Sequence, residues 1–300
     1  MKRLRSLIIL VIVVVLIVGV YSQFQPSRVR LTLATTTSIS DSGLIDFLEE
    51  SFESRYPEID LAVIPVGTGR ALEIGRTGDV DIVLVHSRKL EEQFVREGYG
   101  EHRVTIMYNK FIVVGPKNNP AQISGNNITV ALQNIMVAGE DGRAAFVSRG
   151  DKSGTHQKEL EIWSRLEIDP QGRSWYIEAA TGMGGTLRIA QEKDLYILID
   201  SATWIALSSD NGLATLVTDD SMMLNPYSVI MVSKDRHIHV NYDDAVKFIS
   251  FLVSEEGQGL IERFRVNGRS LFIPIFGKTE SVGLPAEDDA FIYWSRVTID

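Results

Sequence analysis

From residue 30 onward the chain alternates short apolar runs with amphipathic stretches. "RLTLATT" (30–36) predicts a first strand, apolar at Leu31, Leu33 and Ala34. Leu44, Ile45, Leu48 and Phe52 then recur at helical spacing with acids opposite, and Pro57 follows that helix. Ser40 or Ser42 is expected to cap it, with Asp41 near the positive end of its dipole. "IDLAVIPV" (59–66) reads as strand two, "GTG" (67–69) turns into a second helix, and "DIVLVH" (81–86) is strand three. Strand–helix–strand–helix–strand at this spacing predicts a parallel sheet of right-handed βαβ units.

The second half repeats the theme. "KFIVVGPKNNP" (110–120) predicts a strand ending in a break, and "ITVALQNIMVAG" (128–139) a helix. "AAFVSRGD" and "DLYILID" are strands that each run into a polar cap and a helix. "LNPYSVIMVSK" (224–234) is a further buried strand, and two helices follow within 243–264. The order implies two α/β lobes, the chain crossing out near 110–116 and back near 225–233. Those two strands would form a hinge. The expected division is 30–112 with 229–276 for lobe 1, 113–228 for lobe 2, and 277–300 as a C-terminal tail.

The N-terminus is different. Lys2, Arg3 and Arg5 precede a stretch without a charge from Leu7 to Val20. That fits a secretory h-region of about 7–15 residues and is short of the ~20 that a spanning helix needs. Residues 1–22 are therefore expected to be a signal peptide or an N-terminal membrane anchor, and the rest to be exported. Removing the three cations takes the formal net charge from −9 to −12. An acidic exported domain lacks the basic footprint that nucleic acid requires. With no cysteine in the chain, disulfides, thiolate metal sites and cysteine nucleophiles are excluded.

Against that acidity stand three stretches suited to an anion. Thr35, Thr36, Thr37 and Ser38 put hydroxyls at a strand end, just before a helix whose N-terminal N–H groups point outward. Strand propensity and capping alone would also account for them. "VGTGR" places Thr68 between two glycines that allow close backbone approach. "SRGDKSGTH" (148–156) brings the planar fork of Arg149 together with Ser153 and Thr155 at a helix start. Asp151 is expected to orient Arg149 or to cap that helix, since a carboxylate would repel an anion. "TGMGGTLRIA" (181–190) has Leu187 where a dinucleotide fingerprint needs its third glycine, leaving Thr186 and local N–H groups as a weaker candidate. His86, His102, His156, His237 and His239 show no ligand spacing beyond His237-Ile-His239, which is expected to be solvated. Trp163, Trp175 and Trp204 are expected in the core or the cleft wall.

Together "LATTTSISDSGL", "VGTGRALEIGRTGDVDIVLVH", "FVREGYGEHRVTIMYNKFIVVGP", "FVSRGDKSGTH", "WYIEAATGMGGTL" and "LNPYSVIMVS" resemble the solute-binding subunits of tungstate ABC transporters, within the type II periplasmic-binding-protein fold. The likeness runs from about residue 30 to 274 and assigns nothing to the tail. It implies capture of a tetrahedral oxyanion, tungstate and then molybdate, and delivery to a membrane permease. Ligand contacts would fall on Thr36, Thr37, Ser38, Thr68, Arg149, Ser153 and Thr155. A monomer is expected, with no resident cofactor, no cationic metal and no catalysis, because the metal oxyanion is itself the cargo. Two alternatives stay open: an oxyanion sensor for a membrane signalling partner, and a hydrolase using Thr37 or Ser153, which needs a base about 2.6–3.2 Å away.

Overall fold

The computed structural model describes residues 28–207, 212–218 and 220–297. The expected signal or anchor segment, 1–22, lies outside the described residues. Among the described residues no helix is long and apolar enough to cross a membrane.

Strand β1 (Val29–Thr36) passes directly into helix α1 (Thr37–Ser42), which Gly43 at φ +78° separates from α2 (Leu44–Arg55). The expected cap at Ser40 is not formed, because Ser40 lies inside α1, and the N-cap position of α2 falls on the left-handed Gly43 rather than on Ser42. Ser42 donates to the Ile39 carbonyl at 2.6 Å, and its hydroxyl still accepts the Leu44 amide, the first of α2, at 3.3 Å. Asp41 accordingly lies in the last turn of α1, away from the positive end of that helix. Next come β2 (Ile59–Val66), α3 (Thr68–Thr77), β3 (Ile82–Val85) and α4 (Arg88–Arg96). The 17-residue strand β4 (Gly100–Pro116) is longer than its sequence pattern suggests. It leads to α5 (Ile128–Glu140), β5 (Phe146–Ser148), α6 (Gly154–Arg165), β6 (Tyr176–Glu178), α7 (Met183–Lys193), β7 (Tyr196–Asp200), α8 (Ser201–Leu207) and β8 (Leu213–Val217). Strand β9 (Leu224–Val232), α9 (Tyr242–Val253), α10 (Glu255–Arg263), the small strands β10 (Arg265–Val266), β11 (Arg269–Ser270) and β12 (Ile273–Pro274), and α11 (Asp288–Val297) complete the described chain.

Two parallel cores meet along β4. In the first sheet β1 pairs in parallel with β2 and β3, and β9 enters antiparallel between β3 and β4. In the second, β5 pairs in parallel with β6 and β7. Strand β4 belongs to both: Gly100–Lys110 pair with β9, while Phe111–Val114 pair with β7. Among the described strands β9 pairs with β3 and β4 alone, from its first residue onward. Both faces of each sheet are buried. On β3, Ile82 and Leu84 enter one core and Val83 and Val85 the opposite one. On β7, Tyr196 and Leu198 divide in the same way from Ile197 and Ile199. That is why these strands read as continuous apolar runs rather than alternating ones.

The tail, unassigned by sequence, packs on the first core. Trp294 of α11 is fully buried and donates to the His102 carbonyl at 3.0 Å. Glu287 joins the buried Arg103, which also pairs with Glu91. Trp163 and Trp175 are core residues, and Trp204 packs at the edge of a core.

Candidate functional site

Open α/β sheets bind ligands beyond the carboxyl ends of their strands, and here the three hydroxyl-bearing turns stand at such ends. Thr36 ends β1 and is the N-cap of α1 with extended backbone, but no side chain caps the first amides of α1. The Thr36 and Ser38 hydroxyls, both buried, lie 3.0 Å apart, and Thr37 between them is half-buried. Thr68 opens α3 from the N-cap Gly67, again without a side-chain cap. Across from it, β5 ends at Ser148 and the chain turns through Arg149 and Asp151 to Ser153, which caps α6 by accepting from the His156 amide at 3.3 Å.

The turns from the two sheets touch. A Cβ on Gly67 would sit 3.9 Å from Ser153 Cβ, and one on Gly69 would sit 3.6 Å from the Lys152 carbonyl. Gly154 is closer still: a Cβ there would lie 2.8 Å from His86 Cε1 and 2.9 Å from the His86 carbonyl oxygen. The hydroxyls of Thr68 and Thr155, both buried, have no hydrogen-bond partner. Native interiors rarely leave such groups unpaired.

Arg149 is 4% exposed, a rare state for a guanidinium. Its Nε and Nη2 donate to Asp151 Oδ2 at 3.1 and 2.5 Å. Asp151 Oδ1 accepts the Ser153 amide at 3.1 Å, so this carboxylate both orients the arginine and supports the helix start. Burial works to raise the Asp151 carboxyl, but Arg149 and the Ser153 donors outweigh it and hold the group below its ordinary range. An acid held that firmly as a carboxylate is a poor general base.

Beneath Arg149 lies a fully enclosed acid. Glu159 accepts from Ser148 Oγ (2.7 Å), from the Tyr176 hydroxyl (2.6 Å) and from Trp163 Nε1 (3.3 Å). Burial pushes its carboxyl up to about 7 against those three donors. A carboxyl raised in the folded state binds an extra proton between its ordinary value and pH 7, so its contribution to stability falls as pH rises through that window. Relative to Glu159→Gln, the wild type should lose roughly 3 kcal/mol of unfolding free energy between pH 4.5 and 7. Denaturant titrations of both proteins across that range check this.

Sequence reasoning left two histidines without a role that the structure brings to the site. His156 Nδ1 accepts from the Lys152 amide at 3.0 Å, so Nε2 carries the proton; that atom is buried and unpartnered. His86, at the end of β3, is buried against Gly154. Its position at a parallel strand's carboxyl end was the available signal. His237 and His239 accept no such role: each ring bonds a backbone carbonyl at the end of α3, Arg76 at 3.0 Å and Gly78 at 2.9 Å. The Thr186 hydroxyl is turned back onto its own helix, donating to the Gly182 carbonyl at 3.0 Å. No group of histidines and acids among the described residues could hold a metal ion.

The model of the PBP superfamily domain matches residues 23–256. The tungstate-binding protein TupA of Peptoclostridium acidaminophilum is 38% identical over 288 residues, covering 91% of this chain and 99% of that protein. The crystal structure of the tungstate ABC transporter from Geobacter sulfurreducens, 43% identical, superposes with a TM-score of 0.71 over 78% of this chain and 98% of its own. Tungstate-binding TupA from Desulfovibrio alaskensis G20 gives 38% identity and a TM-score of 0.70, over 82% and 98% of the two chains. With its hydroxyl-lined turns meeting across two β/α halves, the chain belongs to the periplasmic-binding-protein superfamily and, within it, to the family of tungstate ABC transporter substrate-binding proteins.

Proposed function

We propose that this protein captures a tetrahedral oxyanion, tungstate or molybdate, between two lobes outside the cytoplasm and hands it to a membrane permease. The lobes are 30–112 with 229–276 and 113–228, hinged on β4 and β9, with 277–300 as the tail. The anion contacts are Thr36, Thr37, Ser38, Thr68, Arg149, Ser153 and Thr155. The observation that supports this most is the pair of buried, unpartnered hydroxyls of Thr68 and Thr155 on turns that face each other beside Arg149. A dianion is costly to bury unless hydrogen bonds replace its water. Hydroxyls, the uncapped amides of α1 and α3, and one guanidinium supply that replacement without covalent chemistry. One arginine cannot neutralise two charges, so the neutral donors carry most of the stabilisation. The net charge of −12 outside residues 1–22 opposes this only weakly, because repulsion is screened beyond about 8–10 Å at ordinary salt.

Calorimetric titration with tungstate, molybdate, sulfate and phosphate tests the reading, and silence for all four would sink it. Thr68→Val sharpens it. The variant removes a buried donor that lacks a partner in the free protein, so stability without ligand should rise by about 1 kcal/mol. Tungstate binding should weaken by about tenfold, because the donor is then missing where it is used. A hydroxyl of purely structural value would move both quantities in the destabilising direction or leave binding untouched.

A further inference from the structure

The anion contacts proposed above account for the hydroxyl turns but not for a buried polar chain running beneath them. Asp200, at the end of β7, is fully buried; its Oδ1 accepts the Thr203 amide at 2.9 Å and its Oδ2 the Thr203 hydroxyl at 2.6 Å. The same Oδ1 accepts from Asn109 Nδ2 at 3.3 Å. Asn109 Oδ1 then faces Asn225 Nδ2 at 2.7 Å, and Asn225 Oδ1 faces His86 Nδ1 at 2.8 Å. The bonds run in one direction, each amide donating toward Asp200 and accepting from the side of His86. His86 Nδ1 therefore carries a proton and donates it to Asn225 Oδ1.

The ring is also fixed in place. It packs on Tyr227 with centroids 4.7 Å apart, and the Tyr227 hydroxyl accepts from Asn225 Nδ2 at 3.0 Å. The chain runs from β7 through β4 and β9, the strand that spans both sheets and its partner, and ends at β3. There the ring and carbonyl of His86 meet Gly154, the first residue of α6, flanked by Ser153 and Thr155.

We infer that His86 is a positioning residue of the oxyanion cleft: held by the Asp200–Asn109–Asn225 amide chain, it is the seat on which the first turn of α6 comes to rest. The seat sets how far the Ser153 and Thr155 donors advance toward Thr36–Ser38 and Thr68. This rests on the oxyanion reading of the same cleft. The ring has to stay uncharged for the purpose, and burial, then Arg149, lowers its pKa to about 4, while the Asn225 bond works the other way. Arg149 is the charged group whose field reaches the ring, and Asp200 stands two amides away.

The experiment is a tungstate titration of wild type, His86→Ala and Asn225→Asp from pH 6 to 8, with denaturant unfolding of each ligand-free protein. His86→Ala should weaken binding by about tenfold or more, the scale of one buried hydrogen bond, chiefly through faster dissociation. Asn225→Asp keeps the volume but gives the ring a carboxylate partner, which raises the imidazole pKa and lets it charge beside Arg149. A charged ring repels Arg149 and no longer seats α6, so the variant's tungstate affinity should fall relative to the wild type as pH falls. Unchanged affinity in His86→Ala, or an Asn225→Asp profile parallel to the wild type with only its unfolding midpoint moved, overturns the inference. Failure of the wild type to bind tungstate would instead refute the oxyanion reading.

Discussion

Arg149→Ala should weaken oxyanion binding by roughly 3 kcal/mol, somewhat over a hundredfold, because the bonds removed are charge-assisted on both sides. The variant also leaves Asp151 beside the incoming dianion without the guanidinium that now occupies its Oδ2. Arg149→Lys restores the charge but not the fork that engages Asp151 through Nε and Nη2 together, so it should recover only part of the affinity. Without ligand the variant should also lose stability, since the buried guanidinium no longer compensates the Asp151 carboxylate. Calorimetry for affinity and a thermal melt without ligand separate the two quantities. Affinity that survives Arg149→Ala would remove this residue from the site.

Gly154→Ala should be nearly as damaging for a different reason. The added Cβ would stand 2.9 Å from the His86 carbonyl oxygen, a backbone atom that cannot swing aside as a side-chain end can. Overpacking of this kind costs up to about 3 kcal/mol, and here it falls only on the arrangement in which the two halves touch. Each sheet keeps its own pair of cores, so the ligand-free melting temperature should hardly move. Tungstate should contract the wild type in small-angle scattering and fail to contract the variant. Contraction of both to the same extent would show that the Gly154–His86 approach is not what closure requires.

Much of this molecule was legible in the chain. The runs 30–36, 59–66, 81–86 and 224–234 are rich in apolar residues because both faces of each strand are covered, and a run of that kind needs no tertiary information to be recognised. The hydroxyl-rich turns were equally plain, because Thr, Ser and Gly are placed where a strand hands its backbone to a helix. Errors fell where two local signals competed. Ser40, Asp41 and Ser42 all suit a helix start, but Gly43 has a stronger claim: its left-handed backbone ends one helix and begins another. The first half of β4 was hidden for a similar reason, since "GEHRVTIMYN" mixes polar and apolar residues. Its pairing with β9, the burial of Arg103 between Glu91 and Glu287, and the packing of α11 over it all come from elsewhere in the chain.

The sequence by itself determined the α/β class, the candidate donors and the family resemblance, since periodicity, turn chemistry and residue type are local properties. Only the tertiary structure decided which donors face one another and which are left without partners. The Thr68 and Thr155 hydroxyls are separated by 87 positions, and a threonine's sequence neighbours do not reveal whether its hydroxyl will find an acceptor. The same holds for His86, whose proton is placed by Asp200 through two asparagines on two other strands. Hydrogen-bond direction is transmitted through space, so no window along the chain contains it.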